Sequence, residues 1–149
     1  MFRLRNLPVL ILVFLLLLLL FFEIWTYYLG TPDVTFERLL GTKPYKEIEA
    51  LSLRRYKKGE ISPHLFRIKT TNAQSVIQKL TPICRLEKID KAHLPEAAKD
   101  TDPEMVEVIG RSPYIYLSKS YDLHHPKAGR MCLVFRDESD LYLFMNGNL

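Results

Sequence analysis

The stretch MCLVFRDESDLYLFM, residues 131–145, decides the fold. Met131 to Phe135 is continuously apolar, Asp137-Glu138-Ser139-Asp140 is a cluster of turn formers, and Leu141 to Met145 is apolar again. Two short apolar runs around a polar turn predict a β-hairpin. Apolar character without alternation predicts central strands covered on both faces.

Upstream, Tyr114 to Ser118 alternates and reads as a further strand. Tyr45 to Lys57 and His64 to Thr71 predict two more, joined by the turn-rich Lys58-Gly59-Glu60-Ile61-Ser62-Pro63. In the second of these, Phe66, Ile68 and Thr70 alternate with Leu65, Arg67 and Lys69, giving an apolar face and a mostly basic one. Thr71-Asn72 offers an N-cap to a helix carrying Val76, Ile77 and Leu80 on one side, with Pro82 limiting it. Periodicity fades from Cys84 to Gly110. There, Ile83, Leu86 and Ile89 have the spacing of a prolonged helix, Pro95 to Ala98 can start another, and Glu104 to Ile109 suits a short helix or a strand. The expectation is an α+β domain with a mainly antiparallel sheet of about five strands and one to three helices on one face.

The N-terminus differs in kind. Every residue from Leu7 to Phe22 is apolar, a run of roughly 24 Å as a helix at about 1.5 Å per residue. Continuation through Glu23, Trp25, Tyr27 and Tyr28 brings it to roughly 33 Å, enough to cross a bilayer, with an aromatic belt at the exit. Arg3 and Arg5 precede the run, while Glu23, Asp33 and Glu37 are the first charges after its start, so the N-terminus is expected in the cytoplasm. The run exceeds the usual signal-peptide core and no small-x-small cleavage site follows it, which favours an uncleaved signal anchor. The predicted organisation is a cytoplasmic N-terminus (1–6), a transmembrane helix (7–28), a membrane-proximal segment (29–44) and a globular domain outside the cytoplasm (45–149). The membrane-proximal segment carries a short helix from Thr31 to Gly41, with Phe36, Leu39 and Leu40 on one side.

A formal charge of +4 over 149 residues is too small to argue for nucleic acid. Its distribution is uneven. Arg54, Arg55, Lys57, Lys58, Arg67 and Lys69 face only Glu60 in sequence, whereas Glu96, Asp100, Asp102, Glu104 and Glu107 face only Lys99. Solvated surface is the ordinary explanation of both blocks. A basic hairpin beside tyrosines such as Tyr121 and Tyr142 is also suited to an acidic protein partner.

Cys84 and Cys132 are the two cysteines, and the expected topology exposes them to a compartment where a disulfide can persist. Two buried thiols are the competing reading. Tyr121-Asp122-Leu123-His124-His125-Pro126 is the densest group of potential ligands. Adjacent histidines in a proline-ended loop point in different directions, so an exposed loop or a partner contact explains them better than a metal. No G-x-S-x-G, H-E-x-x-H, P-loop or dinucleotide fingerprint occurs, and no cofactor is expected. The leading expectation is a membrane-anchored, non-catalytic protein-binding module of the bacterial envelope, of immunity, inhibitor or assembly-factor type. A small envelope enzyme or metal-binding domain using Asp122, His124 and His125 is the first alternative. The second is a structural subunit acting through its transmembrane helix.

Overall fold

The computed structural model describes residues 7–56, 63–94, 103–118 and 131–146. Along the chain these form α1 (Leu7–Leu29), α2 (Pro32–Leu40), β1 (Ile48–Arg55), β2 (His64–Thr70), α3 (Ala73–Cys84), β3 (Leu86–Ile89), a 3-10 turn (Lys91–His93), α4 (Pro103–Arg111), β4 (Ile115–Ser118), β5 (Met131–Arg136) and β6 (Asp140–Asn146). The strands make one antiparallel sheet in the order β1-β2-β6-β5-β4-β3. The fold is therefore α+β, as the apolar hairpin at 131–145 requires.

Helix α1 is long and apolar enough to cross a membrane, and none of its apolar stretch is buried against the rest of the protein. Two residues later α2 begins, with Thr31 extended at the N-cap, Pro32 in the first turn, and Gly41 at φ 70° donating its N–H to the Glu37 carbonyl at 2.8 Å. That left-handed conformation suits glycine and stops the helix. Asn72 caps α3 as expected, its side chain accepting from the Ser75 N–H at 3.0 Å.

Three features depart from the sequence expectation. Helix α3 runs through Pro82 to Cys84, because a proline in the last turn forfeits only one intrahelical bond. Residues Leu86–Ile89 then form a sixth strand rather than prolonging that helix, since Arg85 turns the backbone left-handed at φ 50°. The helices also divide between both faces of the sheet instead of sharing one. Residues 95–98, the other uncertain helix start, lie outside the described residues.

The division follows from side-chain alternation. Phe66 and Ile68 of β2, Cys132 and Val134 of β5, and Leu141, Leu143 and Met145 of β6 face α2 and α3. Those helices supply Phe36, Leu39, Leu40, Val76, Ile77, Leu80 and Cys84. Leu65, Leu133, Phe135, Phe144, Ile115 and Leu117 point the other way, onto Met105, Val108 and Ile109 of α4. Phe36 is fully buried and meets Phe66 edge-on with ring centroids 5.6 Å apart, so the short helix next to α1 is part of the domain's core. Each fully buried side chain of this size contributes about 1.5–3 kcal/mol from burial.

Candidate functional site

On the α4 side, the described residues leave a cleft beside the helix. Met105, Val108 and Ile109 pack on this face in one cluster with Leu65, Ile115, Leu117, Leu133, Phe135 and Phe144, and the cleft opens between Met105 and Val108 and the strands β1 and β2. Cross-strand register determines what stands there. Ser52 pairs with Arg67, Arg67 with Tyr142, and Tyr142 with Phe135, so those four side chains form a row across the face. A second row runs Arg54, Leu65, Phe144, Leu133, and a third Ala50, Lys69, Asp140.

The outcome is an apolar floor with a basic rim. Tyr142 stacks on Phe135 with centroids 5.3 Å apart and rings 3° from parallel. Beside them a cleft of about 170 Å³ is bounded by Ser52, Arg54, Leu65 and Arg67 on the strands and by Met105 and Val108 on α4. It adjoins a more open recess of about 410 Å³ that reaches Lys69, Ser139 and Asp140. Arg67 donates through Nε and Nη2 to one oxygen of Asp140, each at 2.6 Å. The arginine side chain is 61% exposed and the aspartate 7%, so the pair anchors a mostly solvated guanidinium to a nearly buried carboxylate. Such a surface can bind carboxylates over an apolar contact.

Of the basic residues singled out from the sequence, Arg54, Arg67 and Lys69 come together on this face. Arg55 does not, because consecutive strand residues point to opposite faces. Its Nη2 donates to the Gly30 carbonyl at 2.9 Å and to Thr35 Oγ1 at 3.1 Å, on the α2 side. Lys57, Lys58, Tyr121, Asp122, His124 and His125 lie outside the described residues. Cys84 and Cys132 are both buried as thiols in the same core cluster, at the end of α3 and on β5. No group of three or more metal-ligating side chains occurs among the described residues. Sequence reasoning missed Ser52, Asp140 and the α4 wall. The first two are short polar residues whose place depends on register, and the third depends on which face α4 takes.

A second polar cluster lies on the opposite side, where the segment leading into β1 meets α3. The Glu47 carboxylate accepts from Ser75 Oγ at 3.0 Å and pairs with Lys79, whose ammonium sits 5.3 Å from the centre of the Tyr45 ring. The Glu47 carbonyl also accepts from Thr70 Oγ1 at 2.6 Å. The hydrogen bond from Lys79 is the main influence holding the Glu47 carboxyl below its ordinary value. Burial pushes the Tyr45 phenol up, with a smaller push from Cys84. A carboxylate that is already paired with Lys79 and made less basic is poorly suited to activate the Ser75 hydroxyl. This arrangement is a latch that holds residues 45–47 to α3, not a nucleophile with its base.

Comparison with protein-family models, curated proteins and solved structures finds no match.

Proposed function

We propose that this chain is a single-pass protein of a bacterial inner membrane whose domain lies outside the cytoplasm and binds an acidic segment of another envelope protein, without catalysis. The binding half of this reading is carried by one observation, the cross-strand rows. They set Arg54, Arg67 and Lys69 around an apolar floor, on a part of the sheet that α4 borders through Met105 and Val108. Arginine and tyrosine over apolar contacts are the residue types enriched where proteins bind one another. The address is supported by the length and apolarity of α1, by the arginines that precede it, and by the tryptophan and tyrosines near its end.

The test is recovery of a partner from membranes by the tagged full-length chain, repeated with Arg54→Glu and Lys69→Glu together. Both side chains are exposed and project from strands, and an unchanged circular dichroism spectrum and melting temperature would show that the fold survives their reversal. Loss of a specific partner on charge reversal, and its weakening with added salt, support the reading. An unchanged set of recovered proteins overturns it.

A further inference from the structure

The exit of α1 from the membrane carries a second feature, separate from the cleft beside α4. Between the last turn of α1 and the end of β1 lies a groove of about 360 Å³, lined by Thr26, Tyr27, Gly30, Thr31, Pro32 and Arg55. We infer that this groove seats the phosphate headgroup of an anionic phospholipid, with Arg55 as its cationic wall. The inference rests on the reading of α1 as membrane-spanning.

Depth is the first support. At about 1.5 Å per residue the 23 residues of α1 extend roughly 34 Å, against about 30 Å for a bilayer's hydrocarbon core. Its final turn, from Thr26, therefore emerges among the headgroups. Tyr27 is 81% exposed there, which suits a residue sharing that layer with lipid. A groove at this depth borders lipid headgroups at far higher local concentration than any free phosphate.

The second support is how Arg55 is held. The terminal carbonyls of a helix carry partial negative charge and lack partners within the helix. Gly30 follows the last residue of α1, and its carbonyl accepts from Arg55 Nη2, as does Thr35 Oγ1, whose residue is fully buried. Both protons of Nη2 are committed by these bonds. Nη1 and Nε have no partner among the described residues, and Nη1 faces Gly30, lying 3.6 Å from where a side chain there would begin. A guanidinium fixed on one side and open on the other matches the oxygen geometry of a phosphate. Glu23 and Asp33 are the acidic residues nearest in sequence, and neither lines the groove.

Native mass spectrometry of the full-length chain in detergent, titrated with phosphatidylglycerol or phosphatidylcholine, tests this. One phosphatidylglycerol should be retained at least tenfold more tightly than phosphatidylcholine, and Arg55→Gln should abolish the difference. Because Arg55→Gln also cuts the bonds to Gly30 and Thr35, Thr26→Phe is the second variant. Thr26 Oγ1 bonds only carbonyls of its own helix, at Phe22 and Glu23, so a ring there fills the groove while leaving the domain's melting temperature unchanged. Equal retention of both lipids, or selectivity that survives Thr26→Phe, overturns the proposal. So does equal protection by millimolar inorganic phosphate, which would make the site one for a soluble anion. Release of the chain from membranes by alkaline carbonate would refute the anchor itself, whereas retention with no lipid preference refutes only the groove.

Discussion

Replacing Arg67 and replacing Asp140 should have unequal effects, although the two form one ion pair. In Asp140→Ala the guanidinium left behind is already 61% exposed, so water takes over its hydration and the loss is that of a surface pair, about 0.2–1 kcal/mol. In Arg67→Ala a carboxylate only 7% exposed loses its partner. Breaking a fully buried pair this way costs about 3–5 kcal/mol. Discounting for solvent on the arginine side leaves about 2 kcal/mol, a fall in Tm of roughly 8 °C for a domain of this size. Thermal unfolding of the full-length chain in detergent, followed by near-UV circular dichroism, measures both variants. The double variant Arg67→Ala with Asp140→Asn should recover most of the loss, because the orphaned charge is gone. Partner binding should move oppositely, weakening in Arg67→Ala and strengthening in Asp140→Asn, where the arginine no longer shares its charge with that carboxylate. An Asp140→Ala variant as unstable as Arg67→Ala, or a double variant without recovery, would refute the reasoning.

Phe66→Ala removes a fully buried ring that meets Phe36, and should cost about 3–5 kcal/mol by chemical denaturation, with Phe66→Leu costing clearly less. Glu47 has a folded pKa below its unfolded value, so its contribution is present above the ordinary carboxylate range and is lost as pH falls through the folded pKa. Stability profiles of the native chain and of Glu47→Gln should therefore converge in acid, as unfolding midpoints from pH 7 downward would reveal. Cys84 and Cys132 are thiols that share one core cluster, and labelling decides whether an oxidising compartment bridges them. Closing a loop of about 48 residues would contribute about 4 kcal/mol in the chain-entropy model. Denatured protein taken from membranes should accept two thiol labels only after reduction, and two labels without reduction would show that the thiols persist. A periplasm-specific reporter fused after Leu149 should be active, and an inactive fusion would reverse the topology.

How much of this was legible in the sequence varies with what each element depends on. The hairpin of β5 and β6 was readable because its apolar runs are unbroken and its turn is entirely polar. The helix at α2 was readable from Phe36, Leu39 and Leu40 on one side and from Gly41 as its stop. Strand β3 was not, because Ile83, Leu86 and Ile89 recur every three residues and imitate a helical face. The break at Arg85 is made by a residue with no intrinsic preference for a left-handed backbone. The side taken by α4 was equally hidden, since amphipathic spacing of Met105, Val108 and Ile109 says that a face is buried but not against which surface. The basic edge of the site was visible in the alternation of Leu65, Arg67 and Lys69. Arg54 and Arg55, read together as one patch, had to part, because neighbours on a strand cannot share a face.

The strand order has a consequence for how the chain is made. Strand β6 lies in the middle of the sheet, yet it follows every other described strand in sequence. Its pairing with β2 joins residues such as Arg67 and Tyr142. At about 5–20 residues per second of synthesis, the β1–β2 hairpin waits on the order of several seconds for that neighbour. Until then β2 offers an open hydrogen-bonding edge and the apolar side chains Phe66 and Ile68. Synthesis alone thus gives this domain a prolonged half-built stage, attached to α1, in which a chaperone has something to hold.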